Sequence, residues 1–167
     1  MDDIGRTITI LSSMITPVVL ILASGSLIIS TSQRLGRVVE RTRKLTDAIK
    51  ELIKNNSTES TLEQEVSILF EQLQKSAKRA KLLQRAMGAL YITLSIFVAT
   101  SISIGVIDIY RKGSAWIPVI LGILGAMLML YASILLIKES RIALNAVNKE
   151  MDTAIRFVFT KFPGLKK

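Results

Sequence analysis

The chain has 167 residues, half of them hydrophobic, with 22 Lys/Arg against 13 Asp/Glu and neither cysteine nor histidine. The missing residues exclude disulfides, thiol nucleophiles and the usual zinc and haem ligands, and remove the commonest general base near neutral pH. Three uncharged stretches, 7–33, 86–107 and 113–137, each reach the roughly 20 apolar residues that a hydrocarbon core requires, so the chain reads as one small polytopic membrane domain.

The first stretch, from Thr7 to Gln33, runs without a break signal into the basic sequence RLGRVVERTRKLTDAIKELIKN. A lipid-facing segment has to satisfy its own backbone hydrogen bonds, so it must be helical. Nothing after Gln33 stops that helix except the single Gly36, and one continuous rod is expected, half in lipid and half in water. The basic n-region of a cleaved signal peptide is missing. Pro17 leaves the carbonyl of Ser13 without its usual partner and tends to kink the helix. Ser12, Thr16, Ala23, Ser26, Ser30 and Gln33 fall near one helical face that Arg37 continues. Small and hydroxylated residues on one face serve either close helix packing or a wet path in an oligomer. On the second reading the pore-lining candidates are Ser12, Thr16, Ser26, Ser30, Gln33 and Arg37.

Beyond Gln33 the apolar positions Leu35, Val38, Leu45, Ile49 and Leu52, with Thr42 in the gap, alternate by three and four. Residues 55–60 (NNSTES) form a turn cluster, and Ser60-Thr-Leu-Glu63 is a capping box that starts a second helix. Its seam of Leu62, Val66, Leu69, Leu73, Ser76, Ala80, Leu83 and Met87 continues into the second span, which predicts an antiparallel αα-hairpin. Basic residues gather at the membrane end of both arms: Arg34, Arg37, Arg41, Arg43 and Lys44 on one, Lys75, Lys78, Arg79, Lys81 and Arg85 on the other. Such a collar sets topology and contacts anionic headgroups at about 1 kcal/mol per residue near the surface. The membrane-surface set outside the candidate pore strip is Arg34, Arg41, Arg43, Lys44, Lys78, Arg79, Lys81 and Arg85. No aromatic interleaves these bases, which speaks against nucleic-acid binding.

In the second span Tyr91 and Tyr110 occupy the two ends, where interfacial aromatics belong, and Asp108 sits at the outer edge. RKGSAW reads as a tight turn, with Trp116 as an anchor and Pro118 in the first turn of the third helix. Gly122 and Ala126 make a small-xxx-small pattern for helix contact. After Lys138, Leu144, Val147, Met151, Ile155 and Val158 keep helical spacing, and a third arm packed on the hairpin is expected. Phe157, Phe159 and Phe162 could instead rest on the membrane or a neighbouring subunit.

The expected fold is all-α, in a single domain 1–167. Its spans are about 7–32, 86–108 and 115–137, with a hairpin at 34–84 and a C-terminal helix at 138–160. Of the 22 basic residues, 19 lie in 33–85 and 138–167. By the positive-inside rule those segments face the cytoplasm, which puts the N-terminus outside and the C-terminus inside.

Met14-Ile-Thr-Pro17, Arg34-Leu-Gly-Arg37 and Glu40-Arg-Thr-Arg43 resemble the pattern of an uncharacterised family of small three-span bacterial membrane proteins, a domain of unknown function. The family carries an acid, usually Asp, before the arginine at 41; here it is Glu40. The resemblance implies a bacterial inner membrane and brings no activity with it.

No phosphate loop, nucleophile elbow or inward carboxylate pair is present, so no enzyme and no cofactor are expected. The function classes that remain are an oligomeric ion channel lined by the first helix, a non-conducting scaffold that binds a cytoplasmic protein through its coiled-coil arms, and an organiser of anionic lipid. A homo-oligomer is expected in any case, because three spans with small residues on several faces leave surface for other copies.

Overall fold

A computed structural model describes residues 2–54, 59–110 and 116–161, and all of these are helical. There are three helices: α1 (Asp2–Lys54), α2 (Glu59–Tyr110) and α3 (Trp116–Lys161). At 1.5 Å per residue, the 53 residues of α1 run about 80 Å, well over twice the hydrocarbon thickness. All three helices are long and apolar enough to cross a membrane. Each therefore spans the bilayer and continues past it as an arm. α1 passes through Pro17 without interruption.

α2 is the middle element. It packs along both α1 and α3, whereas α1 and α3 meet only marginally. Four of the buried positions of α1, Pro17, Ser24, Thr31 and Val38, recur every seven residues with Ile28 buried between them, and the half-buried Leu45 and Leu52 carry the series into the arm. On α2 the series Ser76, Leu83, Ala86, Leu90, Thr93, Phe97 and Thr100 is buried throughout and keeps steps of three and four once the partly covered Arg79 fills its gap. The seams read from sequence in the arms thus continue through the bilayer.

The core is built for close approach. Ile28, Ala89, Leu90 and Ala132, one or two from each helix, form the central cluster. Ala86, Ala132 and Ser24 are completely covered. The buried hydroxyls of Ser24, Thr31, Thr93 and Thr100 cost little here because they donate to the carbonyl one turn back. Ser24 bonds Leu20 O at 2.8 Å, Thr31 bonds Leu27 O at 2.7 Å and Thr93 bonds Ala89 O at 2.8 Å. Among the described residues no buried side-chain polar atom lacks a partner.

Two expectations for α3 are corrected. The close contact falls at Gly125, not at Gly122 and Ala126. A Cβ on Gly125 would lie 2.5 Å from Cε1 of Phe97, whereas one on Gly122 would meet nothing within 4 Å, and Ala126 is exposed. The arm of α3 does not lay its apolar stripe on the hairpin: Leu144 is 60% exposed, and Val147, Met151 and Ile155 are exposed as well. The physical reason is that α2 already holds α1 on its other flank and α3 reaches it through a different face, the one bearing Leu135 and Glu139. The expectations for the 55–58 and 111–115 turns, and for the side chains of Ser60, Leu62, Glu63, Asp108, Tyr110, Phe157, Val158, Phe159 and Phe162, lie outside the described residues. Trp116 and Tyr91 are both exposed, as interface anchors require.

The Phe97 ring is fully buried, so it has little room to move away from a methyl group at position 125. Gly125→Ala should lower stability by about 1–3 kcal/mol, the usual cost of overpacking. Adding Phe97→Leu should return part of that loss. Thermal unfolding of both variants in mild detergent measures this.

Candidate functional site

On α3, Gly125, Ala132, Leu135 and Glu139 fall on one helical face by steps of seven, three and four. That face packs on α2, so Glu139 is carried into the interface one turn beyond Leu135. Its side chain is only 2% exposed. A carboxylate there loses several kcal/mol of hydration and must be compensated by opposite charge and hydrogen bonds. Arg79 of α2 donates from Nε to Glu139 Oε1 at 2.9 Å. Arg34 of α1 places a guanidinium nitrogen 3.9 Å from Glu139 Oε2. Each carboxylate oxygen thus faces an arginine from a different helix. Arg79 is 18% exposed and Arg34 is 47% exposed, so the first contact is the drier and the stronger. Arginine suits both places, since its planar fork matches the geometry of a carboxylate.

This triad sits near the ends of the apolar spans, and its three residues line a cleft of about 530 Å³ between the arms of α1 and α3. Arg34, Arg37, Val38 and Arg41 line one side, Arg79 the floor, and Glu139, Ser140, Ala143, Leu144 and Val147 the other side. Four arginines against a single carboxylate leave the lining strongly positive. A second groove of about 470 Å³ lies within the spans on the same flank of α2, lined by Thr16, Pro17, Leu20, Phe97, Ile104 and Val119 among others. Arg79 and Phe97 are eighteen residues apart, five full turns, which is why both openings share that flank. The Ile28, Ala89, Leu90 and Ala132 cluster separates them.

The residues singled out from sequence separate into groups. The candidate pore strip, Ser12, Thr16, Ser26, Ser30, Gln33 and Arg37, is exposed along its whole length. The hydroxyls used for internal packing are Ser24 and Thr31, roughly a third of a turn away. Thr16 also borders the apolar groove, and Arg37 the basic cleft. In the collar, Arg43, Lys44, Lys78, Lys81 and Arg85 are exposed, and Arg41 is half-buried in the cleft lining. Lys44 pairs with Glu40 at 2.9 Å. The hydrogen bond from Lys44 and its charge hold the Glu40 carboxyl below the usual range and raise the Lys44 ammonium in return. This pair is fully exposed and of the kind that adds little to stability.

Arg34 and Arg79 have a structural partner that the collar reading did not assign to them. Glu139 is the residue that sequence reasoning missed. The signal lay in its spacing from Ala132 and Leu135, small and apolar residues of the contact face. Among the described residues no three metal-ligating side chains come together.

Removing one member of a buried ion pair strands the other. Glu139→Gln should therefore cost about 3–5 kcal/mol, and Arg79→Gln nearly as much. Arg34→Gln should cost clearly less, because Arg34 is half in solvent and more distant. Ranking the three melting temperatures in one detergent checks the order.

No curated protein and no solved structure matches the chain significantly. A family model described as "Protein of unknown function (DUF2721)" matches residues 14–149, a stretch that holds α1 from Met14, all of α2 and α3 through the triad. The three long apolar helices, the arginine-bearing arm of α1 and this match over most of the chain lead to one conclusion: the protein is a three-span membrane protein of the DUF2721 family.

Proposed function

We propose that the protein works as a homo-oligomeric membrane assembly in which α1 helices from several copies surround an axis and form an ion-conducting path. The observation that carries this reading is the outward position of the polar strip. Ser12, Thr16, Ser26, Ser30, Gln33 and Arg37 are exposed, while packing within the chain uses Ser24 and Thr31. A helix that met only lipid on that side would gain nothing from such a strip, whereas copies arranged around an axis would hydrate it. Rings of hydroxyls, closed by a ring of Arg37 at one mouth, would set ion preference. Oriented by the positive-inside rule, that mouth faces the cytoplasm of a bacterial inner membrane and the three arms project inward. The exposed collar of Arg43, Lys44, Lys78, Lys81 and Arg85 then lies against anionic headgroups.

A second reading rests on a different observation. The exposed stripe of Leu144, Val147, Met151 and Ile155 on the α3 arm offers a helical apolar face to a protein partner. On that reading the protein is a non-conducting scaffold, and the α1 strip serves contacts between copies.

Flux through proteoliposomes separates the two. On the conducting reading, Arg37→Glu shifts preference toward cations with the oligomer size unchanged, and Ser26→Trp or Ser30→Trp blocks flux in an intact oligomer. Absence of flux from the unaltered protein under every ionic gradient and membrane tension would leave the scaffold reading in place.

Orientation has its own test. The chain lacks cysteine, so a single cysteine at position 56 reports its side without background. It should react with a membrane-impermeant maleimide only after the cells are broken. Labelling in intact cells would invert the topology.

A further inference from the structure

We propose that the basic cleft between the α1 and α3 arms is a dedicated site for the phosphate of an anionic phospholipid headgroup, one lipid per chain. This goes beyond the general attraction of the collar; Arg37 is shared with the mouth of the proposed conducting path, whereas Arg41 and Arg79 have no part in that path. Three features carry it. The first is charge. The lining of this cleft of about 530 Å³ holds Arg34, Arg37, Arg41 and Arg79 with Glu139 as its single acid, so basic side chains dominate it. The second is chemistry. Guanidinium groups bind phosphate oxygens through paired N–H donors, and they do so best where apolar walls limit competing water. Val38, Ala143, Leu144 and Val147 supply such walls.

The third feature is depth. Arg34 and Glu139 lie one and two residues past the uncharged stretches of α1 and α3, Arg79 lies seven residues from that of α2, and Arg41 is seven residues beyond Arg34, about 10 Å along the helix. The headgroup layer occupies that zone, so lipid phosphate is already present there at high local concentration. Basic clefts between transmembrane helices at this level are a recurrent mode of headgroup recognition. Glu139 has a part in the site. It holds the guanidinium groups of Arg34 and Arg79 in place, and so the floor of the cleft is ordered before any lipid arrives. The lipid phosphate then meets a preformed positive wall rather than a set of mobile side chains. Arg37 and Arg41, a turn or more further out, close over the phosphate from the α1 side.

The purified full-length protein is titrated with phosphatidylglycerol, with phosphatidylcholine and with inorganic phosphate, and read by native mass spectrometry and by melting temperature. The expected result is one phosphatidylglycerol retained per chain with a raised melting temperature, and neither effect with phosphatidylcholine. Arg37→Gln and Arg41→Gln should each weaken retention about fivefold and should act together in the double variant. Arg43→Gln with Lys44→Gln, an equal loss of charge from the exposed collar, should leave the one-to-one stoichiometry intact. Lipid-free melting of each variant separates lost binding from lost folding. Equal loss in both double variants would reduce the cleft to part of a diffuse collar and overturn the proposal. Inorganic phosphate matching phosphatidylglycerol in its effect would overturn the assignment to lipid.

Discussion

The contact on which the arrangement depends is the carboxylate of Glu139 held between Arg79 and Arg34. Apolar packing between membrane helices is forgiving in register, because one small residue serves about as well as another and lipid competes on equal terms. An ionised carboxylate that is almost wholly covered is not forgiving. Sliding α3 by one turn would move it about 5 Å and leave it without either guanidinium. The triad therefore fixes the axial position of all three helices at the level where the spans end. Hydrogen bonding and charge define the register there, and close packing fills in the rest.

From that level the structure runs in two directions. Toward the bilayer, the helices approach through Ala86, Ala89, Ala132 and Ser24, and the hydroxyls on the contact faces satisfy themselves one turn back. Phe97 fits only because Gly125 has no side chain, which gives this lipid-embedded core one contact with a definite shape. Toward water, the same seven-residue spacing on α1 continues through Val38 and Leu45 into the arm, so span and arm are one packing unit. α2 serves both neighbours, and the space it leaves between α1 and α3 becomes two openings of opposite character, apolar within the bilayer and basic at its edge.

This division changes the meaning of the charges. A net charge of +9 gathered at one end of the helices bears on orientation through a general rule that does not distinguish one arginine from another. The fold does. Arg79 is spent on Glu139, Arg34 is shared between Glu139 and solvent, Arg37 and Arg41 face the cleft, and Arg43 and Lys44 point away from it. Basic residues at the same end of the helices thus carry different energetic roles, and their distance from one buried acid separates them.

The sequence by itself determined that there would be three spans, that α1 would run unbroken past the membrane, and that the arms would meet along seams of three and four. Those features follow from backbone hydrogen bonding in lipid and from apolar periodicity, which are local rules and legible in a linear string. The family was legible too, from the Met14–Pro17, Arg34–Arg37 and Glu40–Arg43 pieces. Only the tertiary structure decided that α2 stands in the middle, that Gly125 and not Gly122 is the point of closest approach, and that the stripe from Leu144 to Ile155 stays uncovered. It alone decided that Glu139 is a buried partner of two arginines rather than one more surface acid. The physical reason is common to all four. Each depends on which faces of different helices turn toward each other, and that is set by a balance of packing and charge over residues 28 to 105 positions apart, which helical periodicity within a single segment does not encode.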